Sequence, residues 1–258
     1  MRLVASQVGA LALRSVTRTA RQPASAIPPI LFPVSLMLVN AAGLDASTRL
    51  PGFPTDSFLA FALAVPFIQG ALFSTMNAGT DLARDIQNGF LNRLALTSMR
   101  GSALLAGQLG GIVVLGLVQA VVYLLVGIAA GVDFASGPLG ILVLLAFAAL
   151  VSVAFGALGC FLALRTGSGE AIQGLFPFLF VFLFLSSMNA PRDLIGVDWF
   201  RFVATINPVS YLIECVRSLI IVGWDGQAIL LGFGFAAAIG LASLALAAGA
   251  LKERLART

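Results

Sequence analysis

Apolar positions fill this chain in long unbroken runs, and charged residues are confined to the stretches between them. Residues 23–44, 57–80, 101–132, 134–164, 171–191 and 226–251 contain no Asp, Glu, Lys or Arg. A helix crosses a hydrocarbon core about 30 Å thick in roughly 20 residues. Inside lipid the backbone finds no water, so each run has to close its own hydrogen bonds as a helix. The pattern predicts an all-α membrane protein with six transmembrane helices, at 23–44, 57–80, 101–131, 138–164, 171–190 and 226–251. A single membrane domain then occupies 1–258.

Three connecting segments are more than simple turns. In residues 1–22, Arg14, Arg18 and Arg21 share one helical face, with Ala12, Leu13, Val16 and Ala20 roughly opposite. This reads as an amphipathic helix along the membrane interface, or as a plain topology signal ahead of the first span. Pro23, Pro28 and Pro29 end it and open the next helix. Met1 is not followed by a short apolar core and cleavage site, so no signal peptide is expected. The segment 81–100 sets Leu91, Leu94 and Leu96 among Asp85, Gln87, Asn88, Asn92 and Arg93. It is expected to form a short amphipathic helix weakened in its middle by Gly89. Such a helix is either a solvated connection or a docking element.

The third segment, 191–225, contains an apolar stretch, Phe202–Ile213, only half as long as a span requires. Asn207-Pro208 is a helix start: Asn caps, and Pro fits the first helical position. Tyr211, Glu214 and Arg217 follow at three-residue steps. A re-entrant helix packed on protein, with Glu214 and Arg217 paired, fits this mixture. An amphipathic helix resting on the leaflet is the other reading.

Few polar residues lie inside the spans. Ser74, Asn77 and Asp81 fall along the second, with Gln69 one turn before Phe73; Gln119 and Tyr123 stand one turn apart in the third. Such side chains ordinarily hydrogen-bond between helices, and the alternative is contact with a transported substrate. Phe176, Phe178, Phe180, Phe182 and Phe184 alternate along the fifth span and spread around its circumference. Some of them then face lipid, while a minority, such as Phe176 and Phe180, line a path for an aromatic or lipid-like substrate. Pro177 is placed to kink that helix.

Composition agrees: 59% of residues are hydrophobic and 10% charged, against about 25% charged in a soluble domain. If the spans alternate, eleven of the fifteen basic residues fall on one side. That asymmetry places both termini in the cytoplasm, and it makes the net charge of +4 a topology signal, not a nucleic-acid footprint. The arginine bias, with one lysine, suits a GC-rich bacterial genome, hence a bacterial cytoplasmic membrane. Two cysteines, Cys160 and Cys215, are too far apart in the layout for an expected disulfide, and no histidine exists for a metal site or a Ser-His-Asp triad. A P-loop is absent, since the sole lysine is Lys252. Any uphill transport would draw its energy from another polypeptide.

With these features together, the chain resembles the permease subunits of ABC-2 type exporters, including the daunorubicin-resistance branch. In the second connection Asp85, Gly89, Leu94, Leu96, Thr97, Arg100 and Gly107 fit that family's pattern, while Ser98 stands where Pro is usual and Gln108 where a basic residue often follows. Asn207, Pro208, Tyr211, Glu214 and Arg217 fit its outer motif. The resemblance implies no cofactor in this chain, with MgATP bound by a separate ABC ATP-binding subunit in two copies. It also implies a second permease copy or paralogue, giving a homo- or heterodimer in membrane lipid. Arg84, Asp85, Gln87, Asn88, Arg93 and Arg100 would contact the ATPase, the outer motif would cap the exit, and Gln69, Asn77, Gln119, Tyr123, Phe176 and Phe180 would line the path. The expected cargo is a hydrophobic, drug-like or lipid-like molecule. Export of a lipid-linked glycan is the alternative, and a non-transporting membrane scaffold is the reading from another class.

Overall fold

The computed structural model describes residues 27–89 and 101–256, with positions 9, 10, 12–14, 17 and 93 outside those two stretches. Among the described residues the regular elements are all helical: α1 (Pro28–Leu44), α2 (Phe58–Ala62), α3 (Ala64–Gln87), α4 (Gly101–Ala129), α5 (Gly137–Thr166), α6 (Gly169–Phe184), α7 (Asp198–Ile206), α8 (Pro208–Arg217) and α9 (Gly226–Leu255). Short 3-10 turns at Asp45–Arg49 and Arg192–Leu194 and a π-helical turn at Ser218–Val222 join them. Five helical segments are long and apolar enough to span a membrane, or six if α7 and α8, with its π-helical extension, count as one bent span.

Local chemistry sets the ends. The Ser57 hydroxyl accepts from the Ala60 amide and starts α2. Pro66 has no N–H to give the Ala62 carbonyl, so α2 and α3 part at Leu63. Gly167, at φ +67°, closes α5 in the left-handed region, Ser168 caps α6, and Asp225 accepts from two amides at the start of α9.

The second span runs further than the sequence pattern predicts. Helix α3 continues past residue 80 to Gln87 and takes Arg84, Asp85 and Gln87 into its last turn. Gly89 does not weaken the middle of a separate helix; at φ +67° it terminates α3, and its amide bonds the Ile86 carbonyl. The predicted fifth span, 171–190, is not among those long segments: α6 ends at Phe184, and its 16 residues make it a shorter apolar helix.

Helices α2 and α3 together form the axis of the molecule, with 94% of their most apolar stretch buried, against 11% for α1 with its following 3-10 turn and 22% for α9. Two apolar clusters flank a narrow waist. One, near the α7–α8 end, contains Phe58, Phe61, Tyr123 and Leu212. The other, near the C-terminal end of α3, contains Leu82, Leu104, Leu164 and Leu251. At the waist α3 and α5 meet backbone to backbone: a Cβ on Gly159 would stand 2.1 Å from the Thr75 carbonyl oxygen. The Thr75 hydroxyl donates to the Phe155 carbonyl at 2.9 Å. Small residues allow this approach, which dispersion contacts and buried hydrogen bonds then stabilise.

Candidate functional site: an elbow, an aromatic row and a polar end

Helices α7 and α8, the latter with its π-helical extension, meet at 81° across Asn207. The Asn207 carboxamide oxygen accepts from the Val209 amide, and its Nδ2 donates to the carbonyls of Phe182 (2.6 Å) and Leu185 (3.0 Å). One side chain therefore starts α8 and ties it to the end of α6. Further on, Ser187 N–H donates to the Ser210 hydroxyl. Arg217, only 5% exposed, donates to the carbonyls of Ser187 (3.1 Å), Met188 (3.1 Å) and Phe61 (3.4 Å). Its guanidinium also lies 3.5 Å from the centre of the Phe61 ring. Capture of these carbonyls by α8 explains why α6 unwinds after Phe184.

The expected Glu214–Arg217 ion pair does not form. Glu214 pairs instead with Arg192 at 2.6 Å, from the preceding connection, and Arg192 lies 4.6 Å over the Tyr211 ring. Burial alone would lower the Arg192 pKa, but Glu214 and Tyr211 outweigh it and hold it above the ordinary value. The Tyr211 hydroxyl donates to the Thr205 carbonyl, and its ring stacks on Phe235 of α9. Asn207, Pro208, Tyr211, Glu214 and Arg217 thus occupy one element but serve different partners. Sequence reasoning missed Arg192, Ser187, Ser210 and Phe61, because nothing local signals contacts so distant along the chain.

The residues proposed for a path separate into two groups. Gln69 and Gln119 are 0% and 1% exposed, and their amide atoms have no hydrogen-bond partner among the described residues. Tyr123 is equally buried and donates to the Pro29 carbonyl at 2.8 Å, tying α4 to α1. Beside Gln119 and Tyr123 lies a cavity of about 10 Å³, room for about one water. This group lies inside the fold of the single chain, packed between α1, α3 and α4. Phe176 and Phe180 instead join Phe73 of α3 and Phe32 of α1, with ring centres 4.9–6.1 Å apart, and Phe184 extends the row. The alternating phenylalanines do divide around α6: three align in this row, while Phe178 and Phe182 are exposed elsewhere. Asn77, half-buried, lies one turn along α3 from Phe73.

At the C-terminal end of α3, Arg84, Gln87 and Asn88 are exposed. Asp85 is buried and binds Arg14 through both carboxylate oxygens, at 3.0 and 3.2 Å, so it faces the protein's own N-terminal segment. Gln87 donates to the Gly167 carbonyl, Arg254 to the Leu164 carbonyl, and Arg165 pairs with Glu253. The ends of α3, α5 and α9 are joined by these bonds. Arg93 is exposed and donates to the Asn88 carbonyl. Arg100, and most of the predicted interfacial helix 1–22, lie outside the described residues.

These features define a polytopic all-α membrane protein with a sharply bent helix pair at one end of its bundle. The chain belongs to the ABC-2 type transporter family, whose pattern matches residues 6–221. Over 170 residues it is 29% identical to a daunorubicin resistance ABC transporter permease protein of Streptomyces coeruleorubidus, a match covering 64% of this chain and 58% of that protein. Over 202 residues it is 27% identical to a transport permease of the ycf38 type from Cyanophora paradoxa, covering 77% of this chain and 69% of that one.

Proposed function

We propose that this chain is the transmembrane subunit of an ATP-driven exporter that moves hydrophobic, drug-like molecules out of a bacterial cell. The match to the ABC-2 family across residues 6–221 carries this reading. The drug-resistance relative supports the cargo class, as does the row of Phe32, Phe73, Phe176 and Phe180, where α1, α3 and α6 meet. Both termini are cytoplasmic, and two permease chains pair around the path. A separate ATPase docks on the exposed polar end of α3, against Arg84, Gln87, Asn88 and Arg93, with Arg100 further along the same connection. Asp85 acts on the inside of that surface by holding Arg14 in place. ATP-driven closure of the ATPase pair then shifts the two permease bundles as near-rigid bodies.

The test is reconstitution in lipid nanodiscs with an ABC ATP-binding subunit that co-purifies with the chain, using daunorubicin as probe. Daunorubicin should stimulate ATP hydrolysis severalfold, and Phe176→Ala with Phe180→Ala should abolish the stimulation while basal hydrolysis persists. Failure of any P-loop ATPase subunit to co-purify with the chain would overturn the proposal.

A further inference from the structure

The elbow encloses a cavity to which the transport reading gives no role. Its volume is about 470 Å³, within the range of small-molecule sites, roughly 300–1,000 Å³. Arg192, Arg201, Arg217, Asp193, Glu214 and Asp225 all line it. Their charges are not equally engaged. Arg192 and Glu214 neutralise each other, whereas Arg201 has only a solvent-screened surface contact with Asp198, which a phosphate at the cavity can replace. Arg217 is different: its hydrogen-bond acceptors are three neutral carbonyls. A buried cation whose direct partners are neutral carbonyls and an aromatic ring adds positive potential to the cavity, which favours an anion. Asp225 uses one carboxylate oxygen to cap α9, while Asp193 is exposed. The same cavity therefore offers an anion site and a cation site.

Its depth in the membrane can be read independently. The chain's two tryptophans are close in sequence to lining residues, Trp199 two residues before Arg201 and Trp224 next to Asp225. They are 64% and 54% exposed. Indole rings concentrate at the level of lipid head groups, where one edge meets water and the body meets hydrocarbon. Phe202, Ile206 and Val222 are also exposed nearby in sequence, an apolar surface suited to acyl chains.

We propose that the elbow cavity binds the zwitterionic, phosphate-bearing head group of a membrane phospholipid, with its phosphate toward Arg201 and Arg217 and its amine toward Asp193. This requires only that the elbow meets a leaflet, and it stands whether or not the cargo assignment is right. Native mass spectrometry of the purified full chain tests it, with phosphatidylethanolamine and phosphatidylglycerol as probes. Phosphatidylethanolamine should be retained preferentially. Arg201→Gln should reduce that retention roughly tenfold, the effect of losing one charge-assisted hydrogen bond. Arg201→Lys should restore most of it. Asp193→Asn should weaken phosphatidylethanolamine and leave phosphatidylglycerol unchanged. Both positions are on the surface, and matching thermal unfolding curves establish that the variants are folded. Soluble glycerophosphoethanolamine at equal concentration should not displace the lipid; displacement would mean that the site reads a free phosphate ester and would overturn the lipid assignment. Unchanged lipid retention in Arg201→Gln, or indifference between the two lipids, would overturn it as well.

Discussion

Arg217 and Glu214 are three residues apart on α8, yet they face different obligations. Arg217 satisfies three carbonyls from two other segments with the fixed fork of its guanidinium. A lysine retains the charge but cannot reproduce that fork. Arg217→Lys should therefore lower stability by about 2 kcal/mol, since buried carbonyls are left without donors. Glu214→Gln should cost less than about 1 kcal/mol, because its bond to Arg192 lies in a half-buried, partly hydrated place. Thermal unfolding in detergent measures both, and equal losses would mean that the two residues act as one pair. Gln119 gives the opposite expectation. Gln119→Met keeps the volume and removes two amide atoms that have no partner among the described residues, so stability should be unchanged or higher by about 1 kcal/mol. A loss would reveal a water in the small cavity bonded to the amide.

Among the elements, the contact of α3 with α5 is the least tolerant of added volume. Gly159→Ala would drive a methyl into the Thr75 carbonyl, backbone that cannot step aside. A cost of about 1–3 kcal/mol is expected from such overpacking. Gly156→Ala should cost less, because it meets flexible Ile112 side-chain atoms at 3.0 Å. Comparing the two unfolding temperatures checks the ordering. Much of the helical layout was legible in the sequence, because a run such as 226–251 has no conformation other than helix available in lipid. The Asn207-Pro208 start was legible for a similar reason: cap chemistry is local. The end of α6 was not, because Asn207 and Arg217 take its carbonyls from more than 20 residues away. Apolar composition alone cannot distinguish residues 185–190 from helix. Gly89 was misread because a glycine that ends one helix and a glycine that interrupts another look the same without the backbone angle.

For the whole molecule, the bonds joining the ends of α3, α5 and α9, together with Arg14 on Asp85, make one polar end whose parts should move together. Asp85→Arg should set like charges against each other and release the N-terminal segment to proteolysis. Combining it with Arg14→Asp should restore protection, and limited proteolysis of membranes carrying each variant reads the difference. Reversing both Arg84 and Arg93 to Glu should weaken ATPase co-purification several-fold and leave membrane insertion intact, since both side chains are exposed.

Helix α6, with 16 residues, rises only about 24 Å. That is several ångströms less than the usual hydrocarbon thickness. Where such a helix crosses a bilayer, the shortfall is met by local thinning or by packing against other helices, at a fraction of a kcal/mol per ångström. That shortfall falls along the helix that carries Phe176 and Phe180, so an amphiphile reaching those rings meets the shortest apolar wall of the bundle.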